Sequence, residues 1–112
     1  MTDRIFQDTI VGMPKIQTTL QFERWFAGLR DVRAKARIDI RIRRLREGNP
    51  GDVKPVGGGI SELRLAYGPG YRIYYINTDE ELILLLSGGG KASQSKDIER
   101  AKDLVKNIRK NE

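Results

Sequence analysis

The sequence contains no cysteine and no histidine among its 112 residues. The missing cysteines exclude disulfide frameworks and thiol redox sites, and together the two absences exclude zinc fingers. Without histidine there is no imidazole base and no Ser/His/Asp triad. Any chemistry near neutral pH must therefore use Lys, Arg, Tyr, Ser or a carboxylate, each with an ordinary pKa far from neutrality.

Long apolar runs are also absent. The longest uninterrupted run, Leu82 to Leu86, is only five residues long, which is far too short to span a bilayer. The opening sequence, MTDRIFQDTIVGMP, lacks the apolar core of a signal peptide. We therefore expect a cytoplasmic protein that has no membrane partner.

Length and composition predict one domain with a modest core, because 38% of the residues are hydrophobic. Lys and Arg number 21 against 15 Asp and Glu, which gives a net charge of +6. Such a basic chain favours an anionic partner: nucleic acid, the ribosome or an acidic protein. Residues 1–14 show no steady period, so we interpret them as an irregular extension before a single domain of residues 15–112.

Helical patterns fill the first half of the chain. Residues 15–17 suit a short strand, and Thr18 followed by Gln21 fits a capping box at the start of a helix. Gly28 marks the end of this helix. Its large apolar residues fall on one face: Phe22, Trp25, Phe26 and Leu29.

A second helix is predicted from an Asp31 cap to about Glu47, before Gly48. Its isoleucines alternate with charges as in a strand, but high helix propensity and a spacing of four, four and three favour a helix. That spacing belongs to Ala34, Ile38, Ile42 and Leu45. The short turn between the two helices predicts an antiparallel helical hairpin.

After a predicted loop, GNPGDVKPVGGG, the spacing of the apolar residues changes from the helical period of 3.6 to the strand period of two. Three strands follow, over residues 62–67, 71–76 and 82–87, and their short connections make them antiparallel neighbours. Ser95 is predicted to cap a final helix whose apolar face carries Ile98, Ala101, Val105 and Ile108. The fold class is therefore α+β: a small antiparallel sheet of about four strands, mixed at its edge, with an N-terminal helical hairpin and a C-terminal helix.

Excess positive charge is concentrated on the second helix, where residues 30–47 hold eight basic and three acidic residues. One reading is a solvated helix face, and the other is contact with phosphates or with an acidic partner. On a helical wheel the arginines form one stripe: Arg30, Arg33, Arg37, Arg41 and Arg44.

Two further features have both a functional and a structural reading. The segment GGGKAS at residues 88–93 fails the Walker pattern, but its glycines next to Lys91 suit either an anion-binding loop or a flexible connector. Arg64, Arg72 and Tyr74 project from one side of adjacent strands, as a cationic binding surface or as an exposed face of strand-favouring residues. Trp25 and Phe22 are assigned to the core.

Two strings carry a resemblance to a known family. GNPGDVKPVGGGISELRLAYGPGYRIYYI followed by LILLLSGGGKASQSKDIERAK closely resembles the HigB-like addiction-module killer proteins of the RelE/ParE superfamily, over about residues 15 to 110. The resemblance implies the toxin of a type II toxin-antitoxin pair. RelE-like members bind the ribosomal A site and cleave mRNA, whereas ParE-like members inhibit DNA gyrase without cutting nucleic acid.

For the site, the resemblance implies that Arg64 and Arg72 bind the scissile phosphate, with Tyr74, Lys54 and Lys91 as weaker matches. The chemistry expected of such an RNase needs neither metal nor cofactor, because the RNA's own 2′-hydroxyl attacks the phosphate. Our hypothesis makes Lys54 or Lys91 the base and Tyr74 or Tyr67 the acid or a stacking platform. Four members of the arginine stripe would bind further phosphates: Arg33, Arg37, Arg41 and Arg44.

The alternatives are gyrase inhibition and a basic binding module with no nuclease activity. Some HigB-like enzymes use a histidine near the C-terminus and some RelE-like enzymes a terminal tyrosine; residues 95–112 contain neither. The expected partners are the ribosome, mRNA and a cognate antitoxin whose acidic or amphipathic segment covers the arginine stripe or the sheet face.

Overall fold

A computed structural model describes residues 2–3, 13–79 and 81–110. The elements are β1 Thr2–Asp3, β2 Lys15–Thr18, α1 Leu20–Ala27, α2 Val32–Arg46, β3 Val53–Gly57, β4 Ile60–Arg64, β5 Arg72–Asp79, β6 Leu82–Gly89 and α3 Gln94–Lys110. A short 3-10 turn, Lys91–Ser93, leads into α3. No helix within the described ranges is long and apolar enough to cross a membrane.

The strands form one sheet in the order β1-β2-β6-β5-β4-β3. β2 runs parallel to β6 and every other neighbouring pair is antiparallel, which confirms the α+β class and the mixed edge. The expected number of about four strands was too low by two, because β1 lies in the predicted extension and β3 lies inside the predicted loop GNPGDVKPVGGG. β3 is an edge strand, where a proline such as Pro55 is tolerated.

The predicted irregular extension, residues 1–14, contains the two-residue strand β1, which pairs with β2. Residues 1 and 4–12 lie outside the described residues. The division into an extension of residues 1–14 and a single domain of residues 15–112 stays a prediction.

Helices α1 and α2 cover one face of the sheet. Ile38 and Ile42 of α2 are fully buried, whereas Ile40 is 46% exposed, so the helical reading of this segment is confirmed over the strand reading. The two helices follow each other through residues 28–31, as predicted, and the Nζ of Lys35 lies 5.4 Å from the centre of the Phe26 ring. This core layer also contains Ile16, Phe22, Leu45, Leu63, Leu65, Ile73, Tyr75, Ile83 and Leu85.

Helix α3 covers the opposite face of the sheet. The four residues predicted for its apolar face all pack there, with Ala101 and Val105 buried. Beneath them lie the sheet residues Ile60, Tyr74, Ile76, Leu84 and Leu86. Both faces of the sheet are therefore packed against helices, so a binding surface on the sheet itself lies at an end or an edge.

The observed N-termini of α1 and α3 differ from the predicted caps. Thr19, not Thr18, caps α1: its hydroxyl accepts a hydrogen bond from the N–H of Phe22 at 3.1 Å. Thr18 is buried at the end of β2 and donates to Glu23. Ser95 lies inside the first turn of α3, because that helix begins at Gln94, whereas the Asp31 cap of α2 is confirmed.

Candidate phosphate-binding site

Two arginines lie directly opposite each other at one end of the sheet. Arg64 is the last residue of β4, Arg72 is the first of β5, and the strand register pairs them. Paired residues in an antiparallel ladder project to the same face. A tight turn joins them, in which the N–H of Gly70 donates to the carbonyl of Tyr67 at 3.0 Å. This confirms the predicted turn at residues 68–70.

A groove of about 450 Å³ surrounds this pair. We call it the cationic groove, and its lining is Asp52, residues 64–70, Arg72 and Lys91. A main-chain hydrogen bond fixes the start of the 3-10 turn Lys91–Ser93, because the N–H of Lys91 donates to the carbonyl of Pro69 at 3.2 Å. Three of the five residues predicted to act in catalysis, Arg64, Arg72 and Lys91, therefore meet in one place.

The three cations of the groove differ in their partners. Arg64 donates from Nε and Nη2 to Oδ1 of Asp52, at 3.3 and 2.9 Å. This hydrogen bond lowers the pKa of Asp52 and raises the pKa of Arg64. Within the described residues, the Nε of Arg72 is buried without a partner and no hydrogen bond or ion pair engages the Lys91 ammonium. Arg72 and Lys91 both line the groove, so an anionic ligand can meet their side chains there, although the buried Nε of Arg72 is itself out of its reach.

Arg41 does not line the groove but stabilises the backbone around it. Its guanidinium donates from Nη1 to the carbonyl of Arg64 at 2.8 Å, and from Nη2 to the carbonyl of Pro50 at 2.9 Å. These bonds tie α2 to the end of β4 and to the segment that leads into β3. Arg41 was predicted to bind phosphate, but most of its donors already serve the backbone. It is better described as a positioning residue.

The other predicted phosphate ligands of α2 form a second, adjacent surface. A pocket of about 230 Å³ lies beside the cationic groove, and residues 65–67 line both. The rest of the pocket lining comes from α2: Arg37, Ile40, Arg41 and Arg44. The guanidinium carbon of Arg37 lies 4.4 Å from the centre of the Tyr67 ring, a cation–π contact. Arg33 is exposed and lies outside the lining of both pockets.

Tyr67 lies between the two surfaces. Its hydroxyl donates to Oδ2 of Asp31, the cap of α2, at 3.2 Å. One face of its ring is therefore taken by Arg37 and its hydroxyl by Asp31. The predicted roles of proton donor or stacking platform would require Tyr67 to give up one of these contacts.

Tyr74 does not lie on an exposed sheet face, so that expectation was wrong. It is fully buried under α3, where its hydroxyl donates to Oε2 of Glu62 at 3.1 Å. Burial raises the pKa of Tyr74, and the nearby Glu62 carboxylate adds to this effect. The physical reason is the apolar face of α3, which needs a partner and takes this side of the sheet.

Lys54 also lies apart from the cationic groove. It is exposed on the edge strand β3, where the register places it opposite Glu62, and it does not contribute to the groove lining. The structure therefore brings together Lys91 but not Lys54 with the two arginines.

Two carboxylates that the sequence analysis did not single out shape this end of the sheet. Asp52 pairs with Arg64 in the groove. Glu62 is fully buried, and its Oε2 accepts from both Tyr74 and the Nε2 of Gln94, the latter at 2.9 Å. The period-two alternation did place Glu62 on the face of Arg64, but only the packing of α3 shows that this part of the face is closed.

Gly88 and Gly89 serve strand pairing and packing and do not form an anion-binding loop. β6 continues to Gly89, two residues beyond the predicted strand end, so Gly88 and Gly89 pair with β5 rather than forming a loop. Side chains press against both: a Cβ on Gly88 would overlap Trp25, and one on Gly89 would overlap Asp97. Neither φ angle is positive, so these positions need glycine for space, and the anion-loop interpretation was wrong for both.

Comparisons with known proteins place the chain in a family. It matches no family model. An uncharacterized protein of Haemophilus influenzae is 49% identical over 94 residues, which cover 84% of this chain and 95% of that protein. The chain belongs to the same family as this protein. The Haemophilus influenzae relative has no assigned activity that could be transferred to the chain.

A weaker likeness exists to a solved structure. The solution structure of the conserved hypothetical protein HP0894 from Helicobacter pylori is 22% identical and has a TM-score of 0.48. The match covers 71% of this chain and 97% of that one, but it is too weak to establish a shared fold. The resemblance to RelE/ParE toxins rests on the sequence strings alone and stays a prediction.

Proposed function

We propose that this protein is the toxin of a type II toxin-antitoxin system, and that it cleaves mRNA on the ribosome without a metal or a cofactor. The observation that carries the proposal is the cationic groove, in which Arg64, Arg72 and Lys91 converge. The string resemblance to HigB-like proteins supplies the biological setting. In this setting the protein acts in the cytoplasm.

The groove suits a phosphodiester. A guanidinium donates two parallel hydrogen bonds that match two phosphate oxygens, and Lys adds a point charge. Both arginines stand at the ends of paired strands, which fixes their spacing better than a loop would. The neighbouring arginines of α2, Arg37 and Arg44, extend the positive surface past residues 65–67, so an RNA strand longer than one nucleotide has further phosphate contacts.

The proposed reaction uses the RNA's own nucleophile. The 2′-oxygen attacks the adjacent phosphorus and gives its proton to the amine of Lys91. The bond from phosphorus to the 5′-oxygen breaks, which leaves a 2′,3′-cyclic phosphate, and the 5′-oxygen takes up that proton from the Lys91 ammonium. Arg64 and Arg72 stabilise the negative charge that develops on the phosphate. Lys91 is the proton-transferring side chain of the groove, because Tyr67 donates to Asp31 and Asp52 accepts from Arg64.

One observation favours a second candidate, a ParE-like gyrase inhibitor. Tyr74 is buried and Tyr67 is engaged, so the described lining of the groove offers fewer free proton-transfer groups than the sequence predicted. An inhibitor that only binds needs the cations and no acid or base. The same groove would then hold an acidic protein surface or a phosphate of DNA.

The two candidates separate in a pulse-label experiment. The protein is induced in cells without its antitoxin, and incorporation of methionine and thymidine is followed side by side. The ribonuclease proposal expects an early fall in methionine incorporation and new mRNA ends inside translated frames. An early fall in thymidine incorporation alone would contradict it and favour gyrase.

Substitutions in the groove test the site itself. Arg72→Ala should abolish growth arrest and weaken binding of a short single-stranded RNA, with the slope of log affinity against log salt concentration reduced by about one. Arg43→Ala is the matched control, because Arg43 is an exposed arginine of α2 that lines neither pocket. Equal effects of the two substitutions would show that total charge, not the groove, binds RNA.

The expected partner is an antitoxin with an acidic or amphipathic segment. A basic groove and a basic helix face side by side would attract such a segment over a long range. Binding of the antitoxin should therefore weaken strongly as salt is added. Binding independent of salt would contradict this assignment.

A further inference from the structure

We propose that Asp52 is a built-in competitor for the anion that binds the cationic groove. It would occupy the donor edge of Arg64 in the free protein and have to release it when a phosphate binds there. This inference rests on the proposed function, because it assumes a phosphate ligand in the groove. It adds a residue that sets which anions the groove accepts.

The geometry of the ion pair carries the inference. Both Nε and Nη2 of Arg64 point to one carboxylate oxygen of Asp52, at 3.3 and 2.9 Å. The Nε–Nη2 edge of a guanidinium can bind a phosphate through two parallel hydrogen bonds. Asp52 and a ligand phosphate therefore compete for the same donors, and both cannot hold them at once.

The pair is exposed enough to exchange. The side chains of Arg64 and Asp52 are 33% and 59% exposed, and exposed ion pairs of this kind are weak. A phosphate that reaches Arg72 and Lys91 as well gains hydrogen bonds that Asp52 does not make. Among the described residues neither cation has a hydrogen-bond or ion-pair partner, and Asp52 acts on Arg72 only through its charge. The exchange is therefore favourable for a ligand that reaches all three cations.

The backbone of Asp52 would stay in place during this exchange. Its carbonyl accepts from the N–H of Arg64 at 2.9 Å and from Nη2 of Arg41 at 3.4 Å. Only the carboxylate has to turn away, and no rearrangement of the segment before β3 is needed. The release is a change of side-chain rotamer.

Asp52 would thereby act as a selectivity residue. A small anion that contacts Arg64 alone must displace Asp52 with nothing gained elsewhere, so it binds poorly. A nucleic acid strand meets Arg64, Arg72 and Lys91 together and displaces the carboxylate. Removing the charge of Asp52 should therefore strengthen binding of RNA, and it should strengthen binding of inorganic phosphate as well.

The test compares Asp52→Asn with Asp103→Asn in binding a short, labelled single-stranded RNA. Both substitutions remove one negative charge, but Asp103 is exposed on α3 and lies outside the groove lining. D52N should bind RNA about two- to fivefold more tightly than D103N, which is the range that release of an exposed ion pair allows. The gain should vanish when Arg64→Ala is present in both proteins, because the competition requires Arg64.

Each other outcome overturns the proposal. Weaker binding by D52N would mean that Asp52 positions Arg64 instead of competing with the ligand. RNA binding that is measurable but equal in D52N and D103N would mean that only net charge matters, and a gain that survives R64A would mean that Asp52 acts through another group.

A second arm separates this proposal from the proposed function. Inorganic phosphate is titrated into the parent protein and D52N while the Nε–H signal of Arg64 is followed by NMR. If the parent protein fails to bind RNA but D52N binds phosphate at Arg64, the nuclease proposal fails and the competitor proposal holds. If D52N does not bind phosphate at Arg64 more tightly than the parent protein, the competitor proposal fails.

Discussion

The indole of Trp25 lies against the backbone of Gly88 so closely that no side chain fits between them. Trp25 belongs to α1 and Gly88 to β6, beside the residue that pairs with Arg72. The indole also contacts Phe22 and Tyr71, with ring centres 5.8 and 6.2 Å apart. Gly88 thus allows α1 to pack at the end of the sheet that carries the cationic groove.

Gly88→Ala should therefore destabilise the protein. The added methyl group would overlap the indole, and overpacking of this kind costs about 1–3 kcal/mol. The measurement is the free energy of unfolding from urea denaturation. Gly90→Ala is the control, because a Cβ there would meet its nearest atom at 3.7 Å, an ordinary contact. Equal stability of the two variants would contradict the close packing of Trp25 on Gly88.

A pair of isoleucines on α2 tests the orientation of that helix. Ile38 is fully buried between helix and sheet, whereas Ile40 is 46% exposed. Ile38→Ala should lower the free energy of unfolding by about 2–5 kcal/mol, since it leaves a cavity in the core. Ile40→Ala should change it by about 0.5 kcal/mol or less. A strand in this segment would bury both side chains alike, and similar losses would therefore contradict the helix.

Local patterns predicted the helices and most of the strands. The Asp31 cap, the end of α2 and the apolar face of α3 depend on residues close together in the sequence, and each was predicted correctly. β3 was missed because its sequence, VKPVG, contains the proline and glycine that usually mark a loop. Its pairing with β4 is a contact between segments, and single-strand patterns do not report such contacts.

The candidate site was predicted only in part, for the same reason. Arg64 and Arg72 were correctly predicted to project from one side of adjacent strands, because the period-two alternation specifies the face. Their direct pairing was not predicted, since β4 ends at Arg64 rather than at residue 67. The burial of Tyr74 depends on which face of the sheet α3 covers, and the sequence does not specify that choice. The Arg64–Asp52 pair joins two residues twelve apart across a hairpin, so it became visible only with β3 in place.

The Asp31 cap gives the stability of the protein a specific pH dependence. The N–H of Ala34 donates to the Asp31 carboxylate, which lowers the pKa of Asp31 below its ordinary value of 3.8, and the Tyr67 hydroxyl adds to this. The unfolded chain therefore binds a proton at Asp31 more readily than the folded protein does. The stabilisation is present above pH 3.8 and is lost as the pH falls through the folded-state pKa.

Asp31→Ala should consequently lower the free energy of unfolding at pH 7, and its difference from the parent protein should shrink below pH 3.8. Urea denaturation at a series of pH values measures this difference. Asp103→Ala is the control, because Asp103 is exposed within α3 and caps no helix. A difference between D31A and the parent that stays constant down to pH 3 would contradict a role for the ionised cap.

The last prediction separates fold from function at neighbouring positions of β5. Tyr74→Phe removes a hydroxyl that is buried under α3 and bonded to Glu62, while Gln94 still donates to that carboxylate. It should lower the free energy of unfolding by about 1 kcal/mol and leave RNA binding and growth arrest unchanged. Arg72→Ala, two residues earlier, should have the opposite pattern, with little loss of stability and a large loss of RNA binding. A folded Y74F variant that no longer bound RNA would show that the ligand reaches beneath α3, and would return Tyr74 to the binding site.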